Sequence, residues 1–257
     1  MTLWIRNLIY WLLLAILTPL FFLGLFIGAP LPRRTRHVVG ENWAKTLVWL
    51  LEHVVGLKYR VIGRENIPSE PSIICSKHQS GWETLALQKI FPSQIYVAKR
   101  ELLWIPFFGW GLALMNPIAI NRSDRSGANN RMLKQGLERK KHGFWITVFP
   151  EGTRVRPGVA GKYKLGAARM SRQLGMPMVP VAHNAGEFWP RNAFLKLPGE
   201  ITVVIGPAIY PADGVGPEAM TQQAEQWIEA TQREIGGVGP FAHPDEKRRR
   251  MGKPASA

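Results

Sequence analysis

The sequence predicts an α/β fold: a mixed, largely parallel sheet flanked by helices, behind an N-terminal helical segment attached to a membrane. Three observations predict it. Short β-branched runs alternate with helix-like runs from residue 58 to residue 235, the pattern of parallel strands joined by crossover helices. Residues 8–29 carry no charge and are broken only by Thr18, Pro19, Gly24 and Gly28. Two polar clusters, at 78–83 and 151–154, each follow a strand-like apolar run, the place where sites form on the edge of an open α/β sheet.

Taken in order, the stretch 8–29 reaches the roughly 20 residues that a spanning helix needs. A cleaved signal peptide fits poorly, because the apolar region is long and no small-x-small site precedes the basic cluster. Pro19 allows a kinked span or a re-entrant hairpin in one leaflet. A second apolar helix at 42–55 adds interfacial docking to those alternatives. Arg33, Arg34, Arg36 and Lys45 follow the stretch, whereas only Arg6 and the terminus precede it, so the bulk of the chain is expected on the cytoplasmic side of the inner membrane.

Beyond it, 58–63 reads as a strand, 71–76 as a buried strand, and 84–91 as a helix stopped by Pro92. Residues 94–98 and 116–120 read as strands. An amphipathic helix is expected at 127–141, with Ser126 as N-cap and Met132, Leu133 and Leu137 facing inward. A strand at 144–149, a helix at 162–174 closed by Gly175, strands at 178–182 and 201–205, and a helix at 217–235 complete the pattern. The expected organisation is therefore membrane-anchoring helices at 1–56, an α/β domain at 57–235, and a basic, disordered tail at 236–257.

Lys plus Arg is 33 and Asp plus Glu is 18, a net charge of +15, which favours an anionic partner. No interleaved basic-aromatic motif accompanies the charge, so nucleic acid is not expected. The single Cys75 excludes an intrachain disulfide and reads as a small buried strand residue. No zinc-ligand spacing or P-loop occurs, and no metal is expected.

His78 and Glu83 are five positions apart. On one ideal helix that offset separates them by roughly 140°. They meet only if His78 lies in the turn before a helix and Glu83 in its first turns, with Gly81 supplying backbone freedom. A carboxylate holding one ring nitrogen leaves the other free to act as a base; the bland alternative is a surface histidine and a helix-start glutamate that never touch. In Glu151-Gly152-Thr153-Arg154, Gly152 permits a tight turn and Arg154 offers a fork matched to phosphate. An ordinary charged turn is the alternative, and Arg122 at the end of another strand favours the phosphate site. His142 reads as exposed and His183 as a satisfied structural residue.

Together these residues resemble the glycerolipid acyltransferases, the 1-acyl-glycerol-3-phosphate acyltransferases among them. The family carries a histidine, four residues, then an acid, as at His78 to Glu83. Its second block ends in a basic residue, matched by residues 116–122 with Arg122. Its third, Glu-Gly-Thr-Arg, stands intact at 151–154, and its fourth, an apolar strand with proline, is matched by Val179-Pro180-Val181. The stretch 97–102, with Lys99, also looks familial. The resemblance covers roughly residues 58–210; its one departure is Glu83, where the family usually has Asp. It implies a glycerol-3-phosphate acyltransferase-like fold and a membrane enzyme transferring an acyl group from acyl-CoA or acyl-acyl carrier protein to a lysophospholipid, with no cofactor. His78 would be the base and Glu83 its orienting partner. Arg122, Glu151, Gly152, Thr153, Arg154 and Lys99 would hold the glycerol phosphate. The implied partners are the bilayer, the lysophospholipid and an acyl carrier protein. Another lysolipid as acceptor, or an inert lipid-binding protein, are the rival readings. Residues 102–115 are either core or, given their aromatic density, an acyl-chain channel or membrane-facing surface.

Overall fold

The computed structural model describes residues 2–120 and 128–252. The chain opens with two helices, α1 (Leu3–Ile27) and α2 (Arg33–Leu50), and α2 runs on into a π-helical turn (Leu51–Val55). There follow β1 (Leu57–Ile62), β2 (Ile73–Ser76), α3 (Trp82–Ile90), β3 (Gln94–Lys99), α4 (Phe108–Leu114), β4 (Ile118–Ile120) and α5 (Ala128–Lys141). The rest is β5 (Trp145–Val148), α6 (Gly166–Leu174), β6 (Met178–His183), β7 (Gly199–Ile205), α7 (Pro217–Ile235) and α8 (Pro244–Arg250).

Among the described residues the strands form one sheet in the order β1-β7-β6-β2-β5-β3-β4. All neighbours are parallel except β6 and β7. The mixed, mostly parallel sheet expected from the alternation is therefore present. Strand β2 is central and buried along its whole length, because helices cover both of its faces. Ile74 packs with Leu47, Leu51, Trp82 and Val181 on the side of α1–α3. Ile73 and Cys75 pack with Ile146, Met170, Met178 and Ile228 on the side of α5–α7.

Four local expectations need correction. Leu137 is 46 % exposed; the inward face of α5 runs through Met132, Gly136 and Arg139, and a Cβ on Gly136 would lie 2.9 Å from Met170. Residues 162–165 precede α6 instead of joining it, because Lys164 N–H is drawn to the Pro150 carbonyl (2.9 Å) beside the second polar cluster. The second helix starts at Arg33, and its arginines grip the domain: Arg33 pairs with Glu138, Arg34 donates to the His142 carbonyl and Arg36 to that of Leu114. Residues 236–252 do not form a disordered tail. Glu187 accepts the N–H groups of Gly237, Val238 and Gly239 (2.7, 3.0 and 2.7 Å). Arg249 and Arg250 of α8 donate to the Arg233 and Glu234 carbonyls at the end of α7, where a helix offers unpaired acceptors and negative potential. Ser126 and Arg122 lie outside the described residues.

Candidate active site

Strands β2, β5, β3 and β4 are adjacent and parallel, so their carboxyl ends share one edge of the sheet. His78 lies two residues past β2, Glu151 three past β5, and Lys99 ends β3. The topology thus gathers sites that are about seventy residues apart in sequence.

His78 sits in the turn before α3 and Glu83 in the first turn of that helix, the one arrangement in which they meet. His78 Nδ1–H donates to Glu83 Oε1 (2.8 Å). The same oxygen accepts the N–H groups of Gln79 (2.9 Å) and Ser80 (2.8 Å). Ser80 Oγ in turn accepts Trp82 N–H (3.1 Å). This is a capping box: the glutamate three residues after Ser80 closes the helix start and orients the imidazole with one atom. The longer glutamate reaches back over this turn to three donors. Ser80 is therefore a buried turn residue and no nucleophile.

Burial pushes the Glu83 carboxyl up, but its neighbours, the His183 imidazole first and then the His78 hydrogen bond and the Ser80 amide, outweigh it, and the net shift is down. An ionised carboxylate only accepts, so the Nδ1 proton belongs to His78 and Nε2 carries the lone pair. The His78 ring stacks on Phe149 (centroids 4.0 Å apart, planes at 14°), and Phe149 is parallel to Tyr96. Phe149 thus covers one face of the imidazole while Glu83 holds its Nδ1 edge. The backbone of His78 is also held, its N–H by Glu151 Oε1 (3.4 Å) and its carbonyl by Val155 N–H (2.8 Å).

Glu151 is turned inward. Its carboxylate is buried, and besides His78 N–H it meets Lys77 Nζ (3.4 Å). Burial raises its carboxyl, partly offset by the Lys77 charge. A carboxyl so placed braces the His78 turn through its contacts with His78 N–H and Lys77. Lys77 itself is 1 % exposed and bridges Glu151 to Glu229 of α7 (2.5 Å). Tyr163 OH donates to the same Glu229 oxygen (2.9 Å). The sequence reading missed Lys77, Tyr163 and Glu229. A charge at the end of a buried strand was the available signal for Lys77, whereas nothing local marks Glu229.

Gly152 has φ 70°, a left-handed turn that glycine adopts without strain. It leads to an exposed Thr153, whose Oγ1 accepts from Arg191 (3.4 Å). Arg154 is half-buried and makes no hydrogen bond or ion pair among the described residues. Lys99 is exposed at the same sheet edge. Gly81 has ordinary helical backbone (φ −82°), so turn freedom is not its role. A Cβ there would lie 3.3 Å from the Trp189 ring, and glycine is needed for that close approach. His183 is buried and kept neutral by burial; Nε2–H donates to the Lys77 carbonyl (2.8 Å) and Nδ1 accepts Ala185 N–H (3.3 Å), a structural role as expected.

Known proteins resemble the chain over most of its length. A family model described as acyltransferase matches residues 58–184. The 1-acyl-sn-glycerol-3-phosphate acyltransferase of Pseudomonas aeruginosa is 44 % identical over 247 residues, covering 94 % of this chain and 96 % of that one. A chloroplastic 1-acyl-sn-glycerol-3-phosphate acyltransferase of Brassica napus is 30 % identical, covering 75 % of this chain and 56 % of its own length. The crystal structure of a 1-acyl-sn-glycerophosphate acyltransferase from Thermotoga maritima superposes with a TM-score of 0.74 at 22 % identity, covering 91 % of this chain and 98 % of that one, and shares the fold. The chain belongs to the acyltransferase family, among the enzymes that include the 1-acyl-sn-glycerol-3-phosphate acyltransferases.

Proposed function

We propose that this enzyme transfers an acyl group from acyl-CoA or acyl-acyl carrier protein to the free hydroxyl of a 1-acyl-glycerol-3-phosphate, giving phosphatidic acid at a membrane surface. The observation that carries the reading is the His78–Glu83 pair, an imidazole with Nδ1–H fixed and Nε2 unpaired among the described residues. His78 Nε2 takes the hydroxyl proton as the oxygen attacks the thioester carbonyl. The carbon–sulfur bond then breaks, and the thiolate regains the proton. Base catalysis of this kind contributes about 10²–10⁴-fold. Arg154 and Lys99, with Arg122, take the phosphate of the acceptor; Gly152 and Thr153 shape the turn that presents Arg154.

The substrates reach the site from a bilayer. Helix α1 is long and apolar enough to cross a membrane. Its inner face meets the domain near both ends, through Asn7 at the Lys196 backbone and through Phe22 at Phe107 and Trp110. Its outer face exposes Trp4, Leu8, Leu12, Ile16, Leu20, Leu23 and Ile27, and exposed Trp104, Phe107 and Trp110 extend that apolar surface. A helix packed along the domain with an apolar stripe outward suits docking into one leaflet better than a span. With α1 docked in one leaflet, the basic residues after it favour the anionic cytoplasmic surface, which puts the catalytic domain on that side.

The test is a thiol-release assay of purified protein in mixed micelles, with both donors, against a panel of lysolipids. Lysophosphatidic acid is expected to rank first. Equal use of an acceptor without a phosphate monoester, or no thioester consumption at all, would sink the reading.

A further inference from the structure

Lys196 has no solvent exposure, yet its ammonium meets no carboxylate among the described residues. It donates to the Phe194 carbonyl (3.0 Å). Around it stand four rings, those of Trp11 (3.7 Å from Nζ to the centroid), Trp189 (4.6 Å), Tyr10 (4.9 Å) and Phe194 (5.9 Å). Ring faces attract a cation, most strongly where water is excluded. Two of these rings belong to α1 and two to the segment after β6. Asn7 of α1 clasps the backbone of the lysine from both sides, accepting its N–H (2.8 Å) and donating to its carbonyl (3.0 Å). The cage is complete only while α1 is docked.

One wall of the cage is also a wall of the catalytic turn. The Trp189 indole meets Tyr10 edge-on (6.3 Å), and its far edge lies where a Cβ on Gly81 would be 3.3–3.7 Å away. Gly81 precedes Trp82 and Glu83, inside the loop whose amides converge on Glu83. We propose that Lys196 is a positioning residue: its caged ammonium fixes Trp189 against Gly81, so that docking of α1 holds the His78–Glu83 turn in its reactive geometry. The inference rests on His78 as the base. A displacement near 1 Å in such a turn costs up to about 100-fold in rate, so a small movement of the indole is enough to matter. A cage that only stapled α1 to the domain would affect stability and leave turnover alone.

The experiment compares full-length wild type with Lys196→Met, Lys196→Arg, Gly81→Ala and the double variant Lys196→Met/Gly81→Ala in mixed micelles, reading kcat, both KM values and the melting temperature. Lys196→Met is expected to lower kcat about tenfold with each KM within about twofold, the split of a group acting on the chemical step. Lys196→Arg, which keeps charge and ring stacking, is expected to restore at least about half of kcat. Because both act through one indole, the double variant is expected to fall short of the product of the single losses. Unchanged kcat in Lys196→Met with a lowered melting temperature, or losses that multiply, overturns the proposal. If Lys196→Met does not fold, Trp11→Leu removes the nearest ring from the outer side and carries the same comparison. His78→Ala in the same assay separates the two readings: turnover by that variant sinks the base assignment, whereas its inactivity leaves the kcat of Lys196→Met to decide the cage.

Discussion

Glu83→Gln isolates what the carboxylate does beyond filling space. In the native turn one oxygen accepts three hydrogens, from His78 Nδ1, Gln79 N and Ser80 N, at 2.8–2.9 Å. Bonds to a charged acceptor are roughly twice as strong as neutral ones, so each weakens by about 1 kcal/mol in the amide. The other oxygen, Oε2, is buried without a partner among the described residues. The glutamine NH₂ falls either there, as an unsatisfied donor costing about 1–3 kcal/mol, or against His78 Nδ1, where it imposes the wrong tautomer. The second outcome protonates Nε2 and removes the base, a loss of about 10⁴ in serine-protease triads. Glu83→Gln is therefore expected to lower kcat by about 10²–10⁴-fold while the acceptor KM stays within about threefold. Glu83→Asp keeps the charge and loses one methylene of reach; it is expected to hold activity to within about tenfold of wild type. The assay is thiol release from the acyl donor with lysophosphatidic acid in excess, alongside a thermal melt. Glu83→Gln turning over at wild-type speed would show that the acid does not orient the base, and the argument from His78 would fall with it.

Other consequences follow from neighbouring groups. Lys77→Met leaves the buried Glu151 and the half-buried Glu229 without their counter-ion and is expected to cost about 3 kcal/mol in urea unfolding; a loss under about 1 kcal/mol would remove the brace from the account. Arg154→Met deletes a cation that has no protein partner among the described residues, so the lysophosphatidic acid KM should rise about 10–100-fold with stability unchanged, and an unmoved KM refutes the phosphate assignment. His37 packs against Phe144 and bonds the Met115 carbonyl, and burial pushes its imidazole down to about 4. The unfolded chain binds that proton near pH 6.5, so stability is present above that pH and is lost as pH falls toward 4, by up to about 3 kcal/mol. His37→Gln should flatten this part of the unfolding profile, and an equal slope in the variant counts against it.

Much of the catalytic edge is legible along the chain because its groups are local. His78 and Glu83 lie within one turn, and each polar cluster directly follows its strand, so period and spacing suffice to find them. The apolar run of β2 announces a central strand for the same reason, since a strand covered on both faces has no polar side. Leu137 shows the limit of periodicity. Close approach of Gly136 to Met170 rotates α5 by one position, and that choice belongs to the partner helix. The basic run 247–250 looks solvated in isolation. It docks because the end of α7 presents unpaired carbonyls and Glu187 captures three amides from the preceding loop.

The sequence by itself determined the alternating α/β pattern, the apolar N-terminal helix and the residues able to carry base catalysis, since each follows from nearest neighbours and short periods. Tertiary structure alone decided that Glu151 braces the turn, that Lys77 reaches Glu229 across 152 residues, and that Lys196 is caged by α1. Those pairings join segments far apart in the chain. What selects them is the cost of burying a charge without a partner, which arises only once the sheet has closed around it.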